Sequence, residues 1–216
     1  PVIKVEDIAH VRFAAPDLAT MRAFLEDFGL NPFEQGGRLY GKGSDGRPFV
    51  HVTEPGEAKF LALGLRAETV EDLALLAAHE GVLVEDFDEP GGGKVVRLVD
   101  PDGYRIEVVA GQVSLTAASL PADLQTNTAM TKRRLGTTVR LEPAPARVRR
   151  IGHAVLKVRD FLRSEAWYKA RFGFLTSDEV EAAEGLPLGA FMRCDRGDKP
   201  ADHHTLFLAQ LPGPLG

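Results

Sequence analysis

Five side chains in this sequence have the types and positions that metal or proton chemistry requires: His10, Glu107, His153, His203 and His204. His10 and His153 sit in two similar strings, Ile8-Ala9-His10-Val11-Arg12-Phe13 and Ile151-Gly152-His153-Ala154-Val155-Leu156. Both strings read as short strands, and side chains alternate across a strand. Ile151, His153, Val155 and Lys157 therefore share one face, while Gly152, Ala154, Leu156 and Val158 form a small, apolar face for a helix to cover. An imidazole on the open face of a sheet can ligate a metal or move a proton. The bland reading of the same residue is a satisfied core histidine.

Glu107, in Tyr104-Arg105-Ile106-Glu107-Val108, is expected in the same sheet as His10 and Phe60. Together these spell His, Phe, Glu, where His, His, Glu would be the facial ligand set of non-haem iron. With Phe60 in place of one ligand and Arg12 on the His10 face to neutralise Glu107, the trio reads as a vestige held by an ion pair. Around His153 the arginine is replaced by Val155, and neutral, apolar surroundings suit a metal and an aromatic substrate.

Counting strands after His153 makes His203 to Gln210 the fourth strand of its unit. His204 is then near a His153-bound metal and not on it, which is the place for a proton shuttle. A polar strand start facing solvent is the other reading of His203-His204. Cys194, between Arg193 and Asp195, has no visible base and reads as a small buried residue. His51 reads as structural, and His79 as a surface residue favoured near a helix C-terminus.

The elements that must position these groups come from an internal repeat. Strand, helix and exit recur: Pro16-Asp17 starts a helix that ends at Phe28-Gly29-Leu30, and Arg159-Asp160 starts one that ends at Phe172-Gly173-Phe174. A third, weaker copy lies between them, with a strand at Phe60 to Leu65, a helix from Val70 to His79, and a hairpin turning at Asp100-Pro101-Asp102-Gly103. Each copy reads β-α-β-β-β. Residues 1–111 are expected to form an N-terminal domain of two copies, 112–148 a linker with Pro121, Pro143 and Pro145, and 149–216 the first copy of a second domain. Its partner copy is expected past Gly216, so that three of four copies are present. The basic residues Lys132-Arg133-Arg134 and Arg147, Arg149 and Arg150 read as a solvated face or a strap docked on acidic neighbours.

The 216 residues carry a formal charge of -5, which argues against a nucleic-acid partner bound through phosphates. No apolar run long enough to span a membrane occurs, and the charged start does not read as a signal peptide. One cysteine excludes a disulfide framework and a thiolate zinc site. These features fit a cytoplasmic protein. Phosphate loops, nucleophile elbows and dinucleotide fingerprints are absent from the sequence.

Tandem β-α-β-β-β copies with a first-strand histidine and Asp100-Pro101-Asp102-Gly103 ahead of Glu107 resemble the vicinal-oxygen-chelate superfamily. Two such pairs, the first degenerate, resemble the type I extradiol ring-cleaving dioxygenases of the 2,3-dihydroxybiphenyl and catechol 2,3-dioxygenase kind. Phe191-Met192-Arg193-Cys194-Asp195 followed by His203-His204-Thr205 is similar to the family segment that bears the acid–base histidine, although the intervening loop, Arg196 to Asp202, is longer. The resemblance implies an α+β fold of the glyoxalase/bleomycin-resistance/extradiol dioxygenase type. It implies Fe(II), with Mn(II) as the alternative, bound by His153, with His204 as the acid–base residue and Val155 and Phe191 lining the ring pocket. The second histidine and the glutamate ligand would lie beyond Gly216. The implied reaction adds both atoms of O2 to a small aromatic diol in a homo-oligomeric enzyme. Another activity of the superfamily (glyoxalase, lyase or epimerase) and a metal-free protein that binds aromatic molecules are the alternatives.

Overall fold

A computed structural model describes residues 1–117, 126–136, 138, 140, 143 and 146–213. The first unit is β1 (Val5–Ala15), α1 (Leu18–Phe28), β2 (Asn31–Gln35), β3 (Arg38–Lys42) and β4 (His51–Pro55). The second is β5 (Lys59–Ala67), α2 (Val70–Glu80), β6 (Glu85–Asp86), β7 (Lys94–Val99) and β8 (Arg105–Ala110). The third is β9 (Ala154–Val158), α3 (Phe161–Phe172), β10 (Leu175–Ala183), β11 (Leu186–Arg193) and β12 (Leu206–Gln210). The repeat expected from the sequence is therefore the repeat of the fold.

Local chemistry explains why the helices start and stop where they do. Asp17 caps α1 by accepting from Ala19 N and Thr20 N, and Asp160 caps α3 by accepting from Arg163 N. Thr69 and Asp72 form a reciprocal capping box on α2. Gly29 closes α1 with φ 99°, a left-handed conformation that a side chain disfavours.

Two sheets result. The first two units share an eight-stranded sheet ordered β2-β3-β4-β1-β5-β8-β7-β6, in which β1 and β5 pair antiparallel across the junction. The third unit forms a four-stranded sheet ordered β10-β11-β12-β9, with β12 and β9 parallel as β4 and β1 are. One apolar cluster runs through both, from Leu63, Leu73 and Ile106 to Leu156, Phe161, Tyr168 and Phe172. Burying each such side chain contributes about 1.5–3 kcal/mol.

The Asp100-Pro101-Asp102-Gly103 turn has a role its sequence did not suggest. Asp102 accepts from Arg159 N (2.9 Å) and Ser164 Oγ (2.9 Å), and Asp100 accepts from Tyr168 OH (2.9 Å). The turn before β8 thus ties the second unit to the start of α3. Burial and that carboxylate push the Tyr168 hydroxyl well above its ordinary value. Arg150 bridges Asp7 and Asp202, as a docked strap would, while Lys132, Arg133 and Arg134 are exposed. Pro121, Pro145 and Pro214 to Gly216 lie outside the described residues. No helix among the described residues is long and apolar enough to cross a membrane.

Candidate active site

The two first-strand histidines meet opposite fates. His10 is 1% exposed, and its Nε2 lies 2.8 Å from Glu107 Oε2. Arg12 donates to the same carboxylate oxygen at 3.2 and 3.3 Å, to Glu89 Oε1 at 2.6 Å and to Glu54 Oε1 at 2.6 Å. Tyr40 OH donates to the other Glu89 oxygen at 2.5 Å. Phe49 and Phe87 flank the His10 ring at 5.2 and 5.7 Å. A guanidinium thus stands among one imidazole and three carboxylates, where a metal would need to stand. Burial opposes the Arg12 charge, but Glu107, Glu89 and Glu54 outweigh it and hold the side chain protonated. These residues do not fit a metal: His10 and Glu107 are spent on each other, and the cation is already supplied.

The expected place of Phe60 in this cluster is corrected by the strand register. His10 is paired with Gly64, which in turn is paired with Glu107. A bulge between Arg12 and Phe13 sets Phe60 opposite Phe13, and its ring packs against Phe13 (5.5 Å) and Tyr104 (5.9 Å). The residue beside His10 is a glycine for a steric reason. A Cβ at Gly64 would lie 2.4 Å from His10 Nδ1 and Cε1, closer than atoms can approach.

Burial alone would raise the Glu107 pKa, but the His10 hydrogen bond and the charges of His10, Arg12 and Arg105 outweigh it and hold the group down to about 2. A carboxylate depressed in the folded state stabilises fully above its ordinary value of 4.5, and that contribution is lost as pH falls from there towards 2. Urea midpoints taken across this acid range should therefore drop, and Glu107→Gln should flatten the drop. An unchanged acid profile in the variant would show that Glu107 does not carry it.

The third unit is built differently. Leu156 and Val158 are buried (5% and 0%), whereas Val155 is 64% exposed, so the face expected for His153 is the open one. His153 stands one residue before β9 and His204 two residues before β12. The parallel ladder starts with Leu206 beside Ala154, so continuing its direction brings the two histidines together. Their rings stack at 4.0 Å with an interplanar angle of 22°. In the next row Val155 pairs with Phe207, and Phe207 with Phe191. The two phenyl rings stack at 4.1 Å, and the Phe191 ring stands 5.0 Å from His204. A groove of about 550 Å³ along β9 exposes His153 and Val155 to an apolar wall that includes Val11, Phe13, Phe60 and Tyr104.

Partial burial, followed by the neighbouring His153 and His203, pushes the His204 pKa below the ordinary imidazole value. A neutral imidazole on an apolar, partly walled face is a proton acceptor. Beyond it, His203 Nε2 is 2.9 Å from Asp178 Oδ2, and His203 Nδ1 is 3.2 Å from His204 Nδ1. Sequence reasoning missed Phe207 and Asp178. Strand alternation carried a signal for Phe207, which shares parity with Ala209 on β12; nothing local singled out Asp178. Among the described residues no cluster of three or more His, Cys, Asp or Glu is arranged to hold a metal. His153 therefore fits a divalent metal only as one member of a larger ligand set.

The remaining candidates are structural. Cys194 is 2% exposed, and burial pushes its thiol up to about 11. His51 is buried against Thr53 and Phe13, and burial lowers it to about 4. His79 lies in the last turn of α2 beside Glu80.

No family model matches the chain. It is 30% identical to metapyrocatechase 2 of Cupriavidus necator, over 95% of this chain and 62% of that protein. Among solved structures it is similar to a Mn(II)-bound glyoxalase from Novosphingobium aromaticivorans (TM-score 0.73, 22% identity, 98% of this chain and 64% of that one). It is also similar to homoprotocatechuate 2,3-dioxygenase from Brevibacterium fuscum (TM-score 0.72, 19% identity, 97% and 55%). A third is the 2,3-dioxygenase LapB from Pseudomonas sp. KL28 (TM-score 0.72, 15% identity, 99% and 73%). The chain thus spans about three fifths of the length of the curated relative it matches.

Proposed function

We propose that this chain, whose fold is the vicinal-oxygen-chelate fold of glyoxalase and extradiol dioxygenases and whose sequence resembles a metapyrocatechase, forms part of an extradiol ring-cleaving dioxygenase. The observation that carries the reading is the His153–His204 stack at the edge of an open apolar face made by Val155, Phe207 and Phe191. Residues 149–216 belong to the catalytic domain in this reading, and residues 1–111 to a domain whose equivalent position is filled by Arg12.

His153 would hold Fe(II), or Mn(II) in its place, together with donors from outside the described residues. The chemistry such a metal would supply is templating, the holding together of a catechol and O2 as reactants. The chain's own residues do the rest. His204, neutral and 4.0 Å from His153 between ring centroids, accepts the proton of a catechol hydroxyl and returns it as the ring opens. Phe191, Phe207 and Val155 hold the ring and keep water from it. The carbon–carbon bond beside the diol breaks, and both oxygen atoms enter the product.

The partners of this reading are a small aromatic diol and O2, in a cytoplasmic homo-oligomer without nucleic acid. A charge of -5 and a single buried cysteine support the last points. Protein loaded anaerobically with Fe(II) should consume oxygen when a catechol is added, in proportion to its metal content. Metal-dependent turnover without oxygen uptake would replace this reading with a glyoxalase, lyase or epimerase activity. Catechol binding indifferent to metal would replace it with a metal-free binding protein.

A further inference from the structure

We propose that Arg150 is a positioning residue for the histidine pair, clamping the two segments that carry His153 and His204 to each other and to β1 of the first unit. The proposal rests on the proposed function for its catalytic meaning, and its geometry stands without it. Both histidines lie ahead of the regular strands, just beyond the bond from Ala154 N to Thr205 O at 3.0 Å. Farther out the tie is made by side chains. Arg150, three residues before His153, donates through Nη2 at 2.5 Å to Oδ2 of Asp202, two residues before His204. Its Nη1 donates to Ile151 O at 3.3 Å and lies 3.3 and 3.4 Å from the carboxylate oxygens of Asp7 on β1. A planar guanidinium holds two carboxylates at once in fixed directions, which a lysine ammonium does not.

The first unit is built to receive this clamp. Asp7 is mostly buried and is held in turn by Arg47 Nη2 at 2.7 Å. The segment that leads to Arg150 is seated on the same unit: Ser44 N donates to Val148 O at 3.0 Å, and Val148 N donates to Gly29 O at 3.3 Å. Gly43 leaves room for it, since a Cβ there would lie 2.0 Å from Arg149 O. The loop ahead of His203 is pinned at its start as well, Asp195 by Lys4 at 2.5 Å and Arg196 by Glu6 at 2.9 Å. The first unit, whose own histidine is taken up by Glu107, thus serves as the template on which the His153 and His204 segments are aligned.

The side chains of Arg150 and Asp202 are 32% and 42% exposed, and ion pairs this open contribute little to folding. Their effect is on alignment, where a displacement of about 1 Å can cost about a hundredfold in rate.

Nuclear Overhauser contacts between the ring protons of His153 and His204, measured on the metal-free protein labelled at histidine, read this alignment without metal or turnover. A failure here is thus distinct from a failure of the proposed function. The native protein should show the contact, as rings stacked at 4.0 Å require. Arg150→Ala and Asp202→Ala should each weaken it severalfold with little change in urea midpoint, and the two together should do no more than either alone. Gly43→Ala should weaken it with Arg150 intact, by displacing the backbone at Arg149. Arg149→Ala, which removes an exposed side chain of the same charge from the same segment, should leave the contact at native strength. In metal-loaded protein, Arg150→Ala should lower kcat by about tenfold to a hundredfold and change the KM for a catechol less. A contact of native strength in both Arg150→Ala and Asp202→Ala, or an equal loss in Arg149→Ala, would overturn the inference.

Discussion

Arg12→Ala should destabilise the first two units by about 3–5 kcal/mol, the scale for removing one partner of a buried ionic network. The Arg12, Glu89 and Glu107 side chains are only 3%, 5% and 2% exposed, and the guanidinium is hydrogen-bonded to both carboxylates and to Glu54. Removing it leaves like charges buried beside one another, with water unable to replace the lost donors. Urea denaturation read by a probe in the eight-stranded sheet would measure the loss. Arg12→Ala combined with Glu107→Ala should cost less than the sum of the single changes, because the second removes a charge that the first left unpaired. Additive costs, or a loss below about 1 kcal/mol, would mean the network contributes no more than exposed ion pairs do.

The second large effect is kinetic. His204→Phe should lower ring-cleaving turnover by roughly a hundredfold or more, the usual scale for deleting a positioned acid–base group. Phenylalanine can keep the stack on His153 and the contact with Phe191, so the ring face should survive and catechol should still bind. Metal content should stay near the native level, because His204 is read as a proton carrier and His153 as the ligand. Oxygen uptake and metal analysis of the same sample separate the two roles. Metal loss in His204→Phe would make His204 a ligand, and full activity would return His203-His204 to a polar strand start.

How much of this was legible in the sequence depended on whether the signal was local. Helix bounds were, because Asp17, Thr69, Asp160, Gly29, Gly81 and Gly173 act on their own turns. The α2 helix expected from Val70 to His79 is observed at Val70–Glu80. The open and covered faces of β9 followed from alternation alone, as the exposure of Val155 and burial of Leu156 show. Pairing of distant residues was legible only through the repeat. Its strand count put His204 near His153, and the parallel β9–β12 ladder is the reason they stack. The last strand of the third unit is shorter than expected, since β12 opens at Leu206 and leaves His203 and His204 in the preceding loop.

The errors have a physical cause as well. Phe60 is expected beside His10 as its counterpart at the start of the second copy, but the antiparallel β1–β5 ladder pairs His10 with Gly64 and leaves Phe60 at the far end of the pair, opposite Phe13; a bulge at Arg12/Phe13 adds a further one-residue shift. Bulges leave little trace in a hydrophobic pattern. Asp178 is paired with Phe191 after another register shift, and only the folded hairpin brings it to His203. The turn at Asp100 to Gly103 was legible as a turn; its docking on α3 depends on two units packing together.

In the proposed function the metal chemistry belongs to the His153 face, while Arg12 fills the His10 cluster. Metal content after anaerobic loading with Fe(II) or Mn(II), measured on native protein, His153→Ala and His10→Ala, tests this most directly. His153→Ala should lose the metal and His10→Ala should keep it. Metal retained in His153→Ala and lost in His10→Ala would contradict it.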